Sequence, residues 1–196
     1  IQRSRGLGDV YKRQVLLVGG TRWTADSARA LESFAAGNDV PVVAAFRFHD
    51  IVDNHCPSFV GDAGVAMNGY MKDLLREADL IVAINIRFGE STTDGYSLFD
   101  APKMAAKLVH SHASDDEIGK IYAPDLPIHA GPNAMAGALA GISLPASKAR
   151  TAWRDAAREN YLAALTAPAQ PGDVDMGVIT AHIRDTLPDD AIVTHG

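Results

Sequence analysis

The feature that most constrains the fold is an alternation, from residue 15 onward, of short apolar runs with segments whose apolar residues recur at helical spacing. The pattern predicts strands at residues 15–18, 41–46, 79–86, 107–112 and 126–130. It predicts helices at residues 24–36, 69–78 and 132–140. Strands that alternate with helices are typical of a parallel sheet covered on both faces. We therefore expect an α/β, doubly wound, Rossmann-like domain over residues 15–140.

Two further local patterns refine this expectation. Residues 47–68, rich in His, Asp, Asn and Gly, are predicted to form a long irregular excursion. Ser114 and Glu117 have the spacing of a capping box, in which each side chain accepts a hydrogen bond from the other residue's backbone N–H. Both features lie in the connections that follow strands.

The composition changes after residue 140. Residues 141–175 read as a linker that contains one helix, at 149–165, and a Pro/Gly/Ala-rich stretch. A helix at 176–187 and a strand at 191–194 then resemble the opening of another α/β domain. We expect residues 176–196 to be the truncated start of that second domain.

The first 14 residues do not follow the pattern of the rest. Residues 1–14 carry four bases and one acid, and the run DVYKRQ resembles the translation of an adaptor used in DNA library preparation. We predict that this segment is an artefact and leave it out of the fold; the alternative is a basic loop that enters the first strand. The abrupt ends predict an internal fragment of a longer protein.

Charge and composition exclude several classes of protein. The apolar fraction of 47% and the charged fraction of 21% are those of a globular chain. The net charge of −6 opposes nucleic-acid binding. Without residues 1–14, which carry four bases and one acid, the net charge of the remaining chain is more negative. No stretch approaches the roughly 18 apolar residues of a membrane span. The single cysteine, Cys56, favours a reducing compartment, so we expect a cytoplasmic protein.

The turn after the first predicted strand suits a phosphate group. Gly19, Gly20 and Thr21 let backbone N–H groups approach a diphosphate, and the next helix points its positive end there. A tight strand-to-helix turn is the alternative. A G-x-G-x-x-G motif is absent, and Phe46-Arg47 stands where an acid would hold the ribose of NAD.

Polar residues also follow the other predicted strands. Arg47 and Arg87 should face the ligand-binding edge, where a guanidinium can pair with a diphosphate; ion pairs with Asp50 or Glu90 are the alternative.

His110 and His112, with His129 nearby, suggest either a metal site or histidines hydrogen-bonded at a strand end. No set of residues suits covalent or acid–base catalysis, and Cys56 lacks a base partner, so we predict no catalytic residue in this chain.

Taken together, these segments resemble a known family. VLLVGGTRWTADSARALESFA, EADLIVAINIRFGE and KLVHSHASDDEIGKIYAPDLPIHAGPNAMAGAL occur in the order and spacing of the central domain of thiamine-diphosphate-dependent enzymes. Acetolactate-synthase-like members look most similar. The match runs from Val15 to about Ala140, and the closing DAIVTHG resembles the start of the family's C-terminal diphosphate-binding domain.

The resemblance implies a three-domain parent enzyme that uses thiamine diphosphate and Mg²⁺. In such enzymes the cofactor lies between the two outer domains of a homo-dimer or homo-tetramer. A 2-keto acid substrate is decarboxylated, and the remaining carbon unit is transferred to an acceptor. The resemblance implies that the activating glutamate and the Mg²⁺ motif lie outside this chain, so the fragment alone is expected to be inactive.

The resemblance also implies FAD in a non-redox role in the central domain. Carried over by position, the contact residues are Gly19, Gly20, Thr21, Phe46, Gly61, Asp62, Gly64, Ile86 and Arg87. The chain departs from the family at residues 85–90, which read NIRFGE where the family usually has GARFDD, and at residues 110–114, which read HSHAS where the family has HIDID; both changes remove carboxylates. Other members hold ADP or a coenzyme-A ester there, or leave the domain empty. A stand-alone nucleotide-binding or FAD-binding module and a purely structural domain are the remaining alternatives.

Overall fold

Six strands form one sheet in which every neighbouring pair is parallel. The strands are β1 (Gln14–Val18), β2 (Val42–Ala45), β3 (Phe59–Ala63), β4 (Leu80–Ile84), β5 (Lys107–His112) and β6 (Leu126–His129). Their order across the sheet is β3-β2-β1-β4-β5-β6. A parallel arrangement needs crossover connections, which helices provide here.

The described residues include five α-helices. They are α1 (Ala25–Gly37), α2 (Gly69–Glu77), α3 (Pro132–Ala140), α4 (Lys148–Ala164) and α5 (Met176–Thr186). Two short 3₁₀ turns lie at His49–Ile51 and Asp115–Glu117. This computed structural model describes residues 12–166, 168–188 and 190–193.

The sheet is buried on both faces except at its edge strand β6, which is largely exposed. Val15 and Leu17 of β1 belong to a core cluster that includes Met71 and Leu75 of α2. Successive strand residues point to opposite faces, and Leu16 and Val18 are buried on the other one. Helices α1 and α3 pack against each other and bury Leu31, Ala35, Met135 and Ala136. The predicted α/β fold with a parallel sheet is therefore confirmed.

Strand β3 is a correction to the sequence analysis, which assigned residues 47–68 to an irregular excursion. Phe59, Val60 and Ala63 are buried in this strand, which pairs with β2. Between the pairs Val42–Phe59 and Ala44–Asp62, β3 carries one residue more than β2. Gly61 lies in this irregularity with φ +111°. The glycine and the acid interrupt the apolar run, which is why the pattern did not predict a strand.

Three smaller predictions also change. Ser114 precedes the 3₁₀ turn but makes no side-chain cap hydrogen bond, so the predicted capping box is wrong. The first strand begins at Gln14, inside the segment that the sequence analysis left out. Residues 191–193 are not a strand, and Thr194 lies outside the described residues.

The chain divides into two units, Ile1–Asn160 and Tyr161–Gly196. In the second unit, the Asp175 side chain caps α5 by accepting hydrogen bonds from the backbone N–H groups of Gly177 and Val178. That residues 176–196 open another α/β domain stays a prediction. In the described part of the chain, every helix is too short or too polar to cross a bilayer.

Candidate functional site at the sheet crossing point

A cavity opens at the carboxyl edge of the sheet between β1 and β4. The chain leaves β1 toward β2 on one side and later returns to β4 on the other, so the connections diverge at this point. Ligands of open α/β sheets bind in the crevice that such a divergence leaves. The cavity has a volume of about 590 Å³, within the range of small-molecule sites. Its lining includes Gly20, Thr21, Arg22, Ile86, Arg87 and His112.

The loop after β1 requires its two glycines. Gly20 has φ +68°, and a Cβ built on it would lie 2.2 Å from the backbone oxygen of Asn85. A Cβ on Gly19 would lie 2.9 Å from both the Cβ of Ala45 and the Cγ2 of Ile86. The loop therefore approaches the neighbouring strand ends too closely for any side chain at these positions.

Asn85, directly after β4, holds this loop in place. Its buried side-chain amide donates hydrogen bonds to the carbonyl oxygens of Thr21, at 2.9 Å, and Gly19, at 3.3 Å. Its backbone N–H donates to the oxygen of Ser111 at 2.7 Å. Asn85 has φ +56°, a left-handed conformation that asparagine tolerates better than most residues. It therefore connects the ends of β1, β4 and β5.

Asn133, in the first turn of α3, holds the other end of the loop. Its Oδ1 accepts hydrogen bonds from the Thr24 backbone N–H and the Ser27 hydroxyl, and its Nδ2 donates to the Arg22 oxygen at 3.0 Å. Thr24 and Ser27 also form a reciprocal cap at the start of α1. These bonds fix the loop before any ligand arrives.

Backbone N–H groups of this loop are available to a ligand. Considering only the described residues, no acceptor pairs with the backbone N–H of Gly20, Thr21 or Arg22. The first turn of α1 follows directly, with its partial positive charge. Such a run of N–H groups is suited to a phosphate group.

The charged side chains of this cavity are basic. Arg22 and Arg87 line it, and no aspartate or glutamate does. The Nε atom of Arg87 lies 3.7 Å from an oxygen of Glu117, but the arginine side chain is 77% exposed, so this pair is weak. The cavity therefore favours an anionic ligand.

A second cavity, of about 410 Å³, adjoins the first on the β2 side. The two share Gly20, Thr21, Arg22 and Phe48. The second also contains Arg47 and Asp50. The loop after β1 thus lies between two spaces, one on each side of the crossing point.

Comparison with known proteins agrees with this geometry. The family described as "Thiamine pyrophosphate enzyme, central domain" matches residues 9–139. The chain belongs to this family.

The curated relatives of this central domain are longer enzymes. It is 28% identical to the acetolactate synthase large subunit of Parasynechococcus marenigrum (strain WH8102), over 93% of this chain and 30% of the relative. It is 32% identical to that of Corynebacterium glutamicum, over 60% of this chain and 18% of the relative. It is 26% identical to the 3D-(3,5/4)-trihydroxycyclohexane-1,2-dione hydrolase of Clostridium perfringens, over 47% of this chain and 15% of the relative. The chain thus spans less than a third of the length of these relatives.

Within the central domain, the nine residues predicted to contact a cofactor fall into two groups. Gly20, Thr21, Ile86 and Arg87 line the cavity at the crossing point, and Gly19 lies beside it. The second group is Phe46, Gly61, Asp62 and Gly64, at or near the ends of β2 and β3. A Cβ on Gly64 would lie 2.7 Å from Asp62 Oδ2 and 3.1 Å from the Phe46 ring. Asp62 is 3.4 Å from the Nε2 of His49. None of the second group lines either cavity described above.

The predicted arginines do reach the ligand edge. Arg87 lines the first cavity and Arg47 the second. Neither forms the ion pair with Asp50 or Glu90 that was the alternative. The guanidinium carbon of Arg47 instead lies 4.9 Å from the centre of the Phe46 ring.

The histidines are engaged with the backbone. The His110 Nε2 lies 3.2 Å from the Ile86 oxygen and donates to it, since a carbonyl oxygen only accepts. Burial lowers the pKa of His110. The His129 Nε2 lies 3.1 Å from the Ala113 oxygen, and the His112 Nδ1 accepts from the Ser114 N–H. Within the described ranges, no three His, Cys, Asp or Glu side chains are arranged to hold a metal. Cys56 is a buried free thiol.

Sequence reasoning missed the residues that shape the loop. Asn85 and Asn133 carry no motif, and each acts on residues more than 60 positions away. The one local signal was Asn85 at the end of an apolar strand, a position where a left-handed residue often begins a turn.

Proposed function

We propose that this central domain binds an adenine dinucleotide across the sheet crossing point, with FAD as the first candidate. The observation that carries the proposal is the loop after β1, which presents three unengaged N–H groups between two adjoining cavities. A dinucleotide has that form, a central diphosphate with a ring system on each side. ADP shares the diphosphate but would use fewer of these features, and a coenzyme-A ester, which also carries the diphosphate, is the alternative.

The residues present fit such a ligand. The N–H groups of Gly20, Thr21 and Arg22 would hold the diphosphate, and the Arg22 and Arg87 guanidinium groups would offset its charge. Ile86 and Phe48 offer apolar walls in the first cavity. FAD, when bound, supplies a flat conjugated ring; the domain's own residues would orient it and keep water from one side of it.

We further propose that the whole protein acts on 2-keto acids with thiamine diphosphate and Mg²⁺. Decarboxylation would be followed by transfer of the remaining carbon unit to an acceptor. The family and the acetolactate synthase relatives support this, and the residues for those cofactors would lie outside this chain. The same resemblance supports a homo-dimer or homo-tetramer, and the single cysteine supports a reducing compartment such as the cytoplasm.

The binding proposal is tested by titrating the purified 196-residue chain with FAD and with ADP, followed by calorimetry. We expect saturable binding of both, with FAD tighter. Gly20→Ala should weaken FAD binding at least tenfold, because the new Cβ would force the loop away from Asn85.

Gly137→Ala is the matched control. A Cβ at Gly137, on α3, meets open space, so binding should not change, and the helix should gain roughly 0.5–1 kcal/mol. If neither nucleotide binds the wild-type chain, the domain has a purely structural role and the proposal fails.

The reaction is tested separately with the full open reading frame. Its product should consume pyruvate only when thiamine diphosphate and Mg²⁺ are supplied. Consumption without thiamine diphosphate, or none with it, would reject the proposed reaction and leave the nucleotide-binding proposal to its own test.

A further inference from the structure

We propose that the second cavity binds a phosphate group on the adenosine ribose, so that Arg47 selects ribose-phosphorylated adenine nucleotides over unphosphorylated ones. This inference rests on the proposed nucleotide function and names the class of nucleotide that the site prefers. An adenine nucleotide with free ribose hydroxyls would be bound more weakly than the same nucleotide with a phosphate added to its ribose.

The position of Arg47, just after β2, favours a ligand with a phosphate on its ribose. In doubly wound dinucleotide-binding sheets, the residue at the end of the second strand meets the adenosine ribose. A carboxylate there accepts from the free hydroxyls, whereas an arginine nearby accommodates a phosphate on the ribose. In this chain β2 ends at Ala45 and is followed by Phe46 and Arg47. The residue that would favour free hydroxyls is thus replaced by one of opposite charge.

The conformation of Arg47 leaves the N–H edge of its guanidinium group available to a phosphate. Its backbone has φ +71°, which is uncommon for a residue with a side chain. Its guanidinium carbon lies 4.9 Å from the Phe46 ring centre. A guanidinium stacked in this way keeps its N–H edge free for two parallel hydrogen bonds to a phosphate. The Arg47 side chain is exposed and lines the second cavity.

The charged side chains that line the second cavity are mostly basic. Arg22 and Arg47 both line it, and Asp50 is its one acidic lining residue among those described. No ion pair joins Asp50 to either arginine. On the adjacent turn, His49 is engaged with Asp62 rather than with the cavity. With two guanidinium groups and one carboxylate, the second cavity has a net positive charge that would attract a phosphate.

The test compares three probes on the 196-residue chain: 5′-AMP, adenosine 2′,5′-bisphosphate and adenosine 3′,5′-bisphosphate, each titrated by calorimetry. The bisphosphates differ from 5′-AMP only by the ribose phosphate. We expect at least one of the two bisphosphates to bind about tenfold or more tightly than 5′-AMP, as a charged hydrogen bond provides. The two bisphosphates distinguish which ribose oxygen carries the phosphate. Arg47→Gln should abolish this preference while changing 5′-AMP affinity less than threefold.

Arg29→Gln is the matched control, since Arg29 lies on α1, pairs with Asp26 and lines neither cavity. It should leave the preference intact. Thermal unfolding of each variant establishes that it is folded.

The outcomes separate the two proposals. If 5′-AMP binds as tightly as both bisphosphates, or more tightly because Asp50 holds the ribose hydroxyls, this inference is wrong and the nucleotide function stands. If none of the three probes nor FAD binds, the nucleotide function itself is wrong, and this inference with it. A preference that survives Arg47→Gln would also overturn the role of Arg47.

Discussion

The side-chain amide of Asn85 donates a 2.9 Å hydrogen bond to the carbonyl of Thr21, joining the end of β4 to the loop after β1. The same NH₂ group lies 3.3 Å from the Gly19 oxygen. Asn85 is 6% exposed, so water has little access to replace these bonds. The shape of the candidate phosphate loop therefore depends on one amide group from a neighbouring strand.

Asn85→Asp should destabilise the protein by about 1–3 kcal/mol, because a carboxylate would replace the donor and leave the Thr21 carbonyl without a partner, while the Gly19 carbonyl keeps only the Trp23 indole N–H. FAD affinity should fall as well. Urea unfolding and calorimetry measure the two effects. Asn85→Gly is the control for the backbone, since glycine accepts φ +56° without strain and adds no charge. It should be less destabilising than Asn85→Asp, because it removes the same donor without adding a buried charge. Equal losses would mean that the lost hydrogen bonds, and not the new charge, cause the effect, and a loss well below about 1 kcal/mol in both variants would contradict the role of the hydrogen bonds.

A second prediction concerns Asp125, in the connection to β6. One of its oxygens accepts hydrogen bonds from the Nζ atoms of Lys103 and Lys107, both at 2.9 Å, and the other accepts from the Leu108 N–H at 3.0 Å. The side-chain hydrogen bonds from Lys107 and Lys103, followed by the backbone bond, hold the pKa of Asp125 well below its usual value of 3.8. The charged form is thus favoured in the folded protein.

A lowered pKa in the folded state contributes stability above the unfolded pKa, and that stability is lost as the pH falls through the folded value. Asp125→Asn should therefore cost about 1 kcal/mol at neutral pH, since the lysines are half-exposed and screened. The difference from wild type should shrink below pH 3.8. Urea unfolding at several pH values measures it; a cost that persists unchanged in acid would contradict the role of the charge.

A third prediction concerns His49 and Asp62. The side-chain hydrogen bond to Asp62 raises the pKa of His49 above 6.5, against the opposing effect of burial, and Asp50 contributes less. A raised pKa adds stability below pH 6.5, and this is lost as the pH rises through the folded value. Asp62→Asn should lower the pKa of His49 in an NMR titration. Asp50→Asn should lower it less, and the reverse order would show that the hydrogen bond is not the main cause.

The sequence predicted the architecture well because most strands are short, continuous apolar runs. The run LIVAI at residues 80–84 is typical of a strand that is covered on both faces. β3 escaped prediction because its burial depends on pairing with β2, while Gly61 and Asp62 interrupt its apolar pattern. Local pattern identifies a strand only when both of its faces are apolar.

The residues of the candidate site also differ in whether the sequence alone could predict them. Gly19, Gly20 and Thr21 were predictable because a glycine pair directly after a strand requires no distant partner to be recognised. Asn133 was not, because its contacts with Arg22 and Thr24 span about a hundred residues and arise only when α1 and α3 pack together. The second group of predicted residues came from the family resemblance, and their cofactor role stays a prediction.

The last prediction concerns Arg150, a buried cation of α4. It is 5% exposed, its Nε donates to the Asn38 oxygen at 2.5 Å, and an Nη donates to the Pro145 oxygen at 2.8 Å. Beside it, Thr151 donates to Asp39. These bonds tie the first turns of α4 to the turn between α1 and β2.

Arg150→Met should cost about 1–3 kcal/mol, because methionine fills part of the space but leaves the buried Asn38 carbonyl without its donor, whereas the carbonyl of the exposed Pro145 is accessible to water. Lys148→Met, on an exposed position of the same helix turn, should change stability by less than about 0.5 kcal/mol. Urea unfolding compares the two. Hydrogen exchange should also speed up in residues 148–160 of the Arg150 variant before the sheet is affected, because α4 loses its anchor while the strands keep theirs. Similar losses for both variants would show that apolar packing of α4, and not these hydrogen bonds, holds the helix in place.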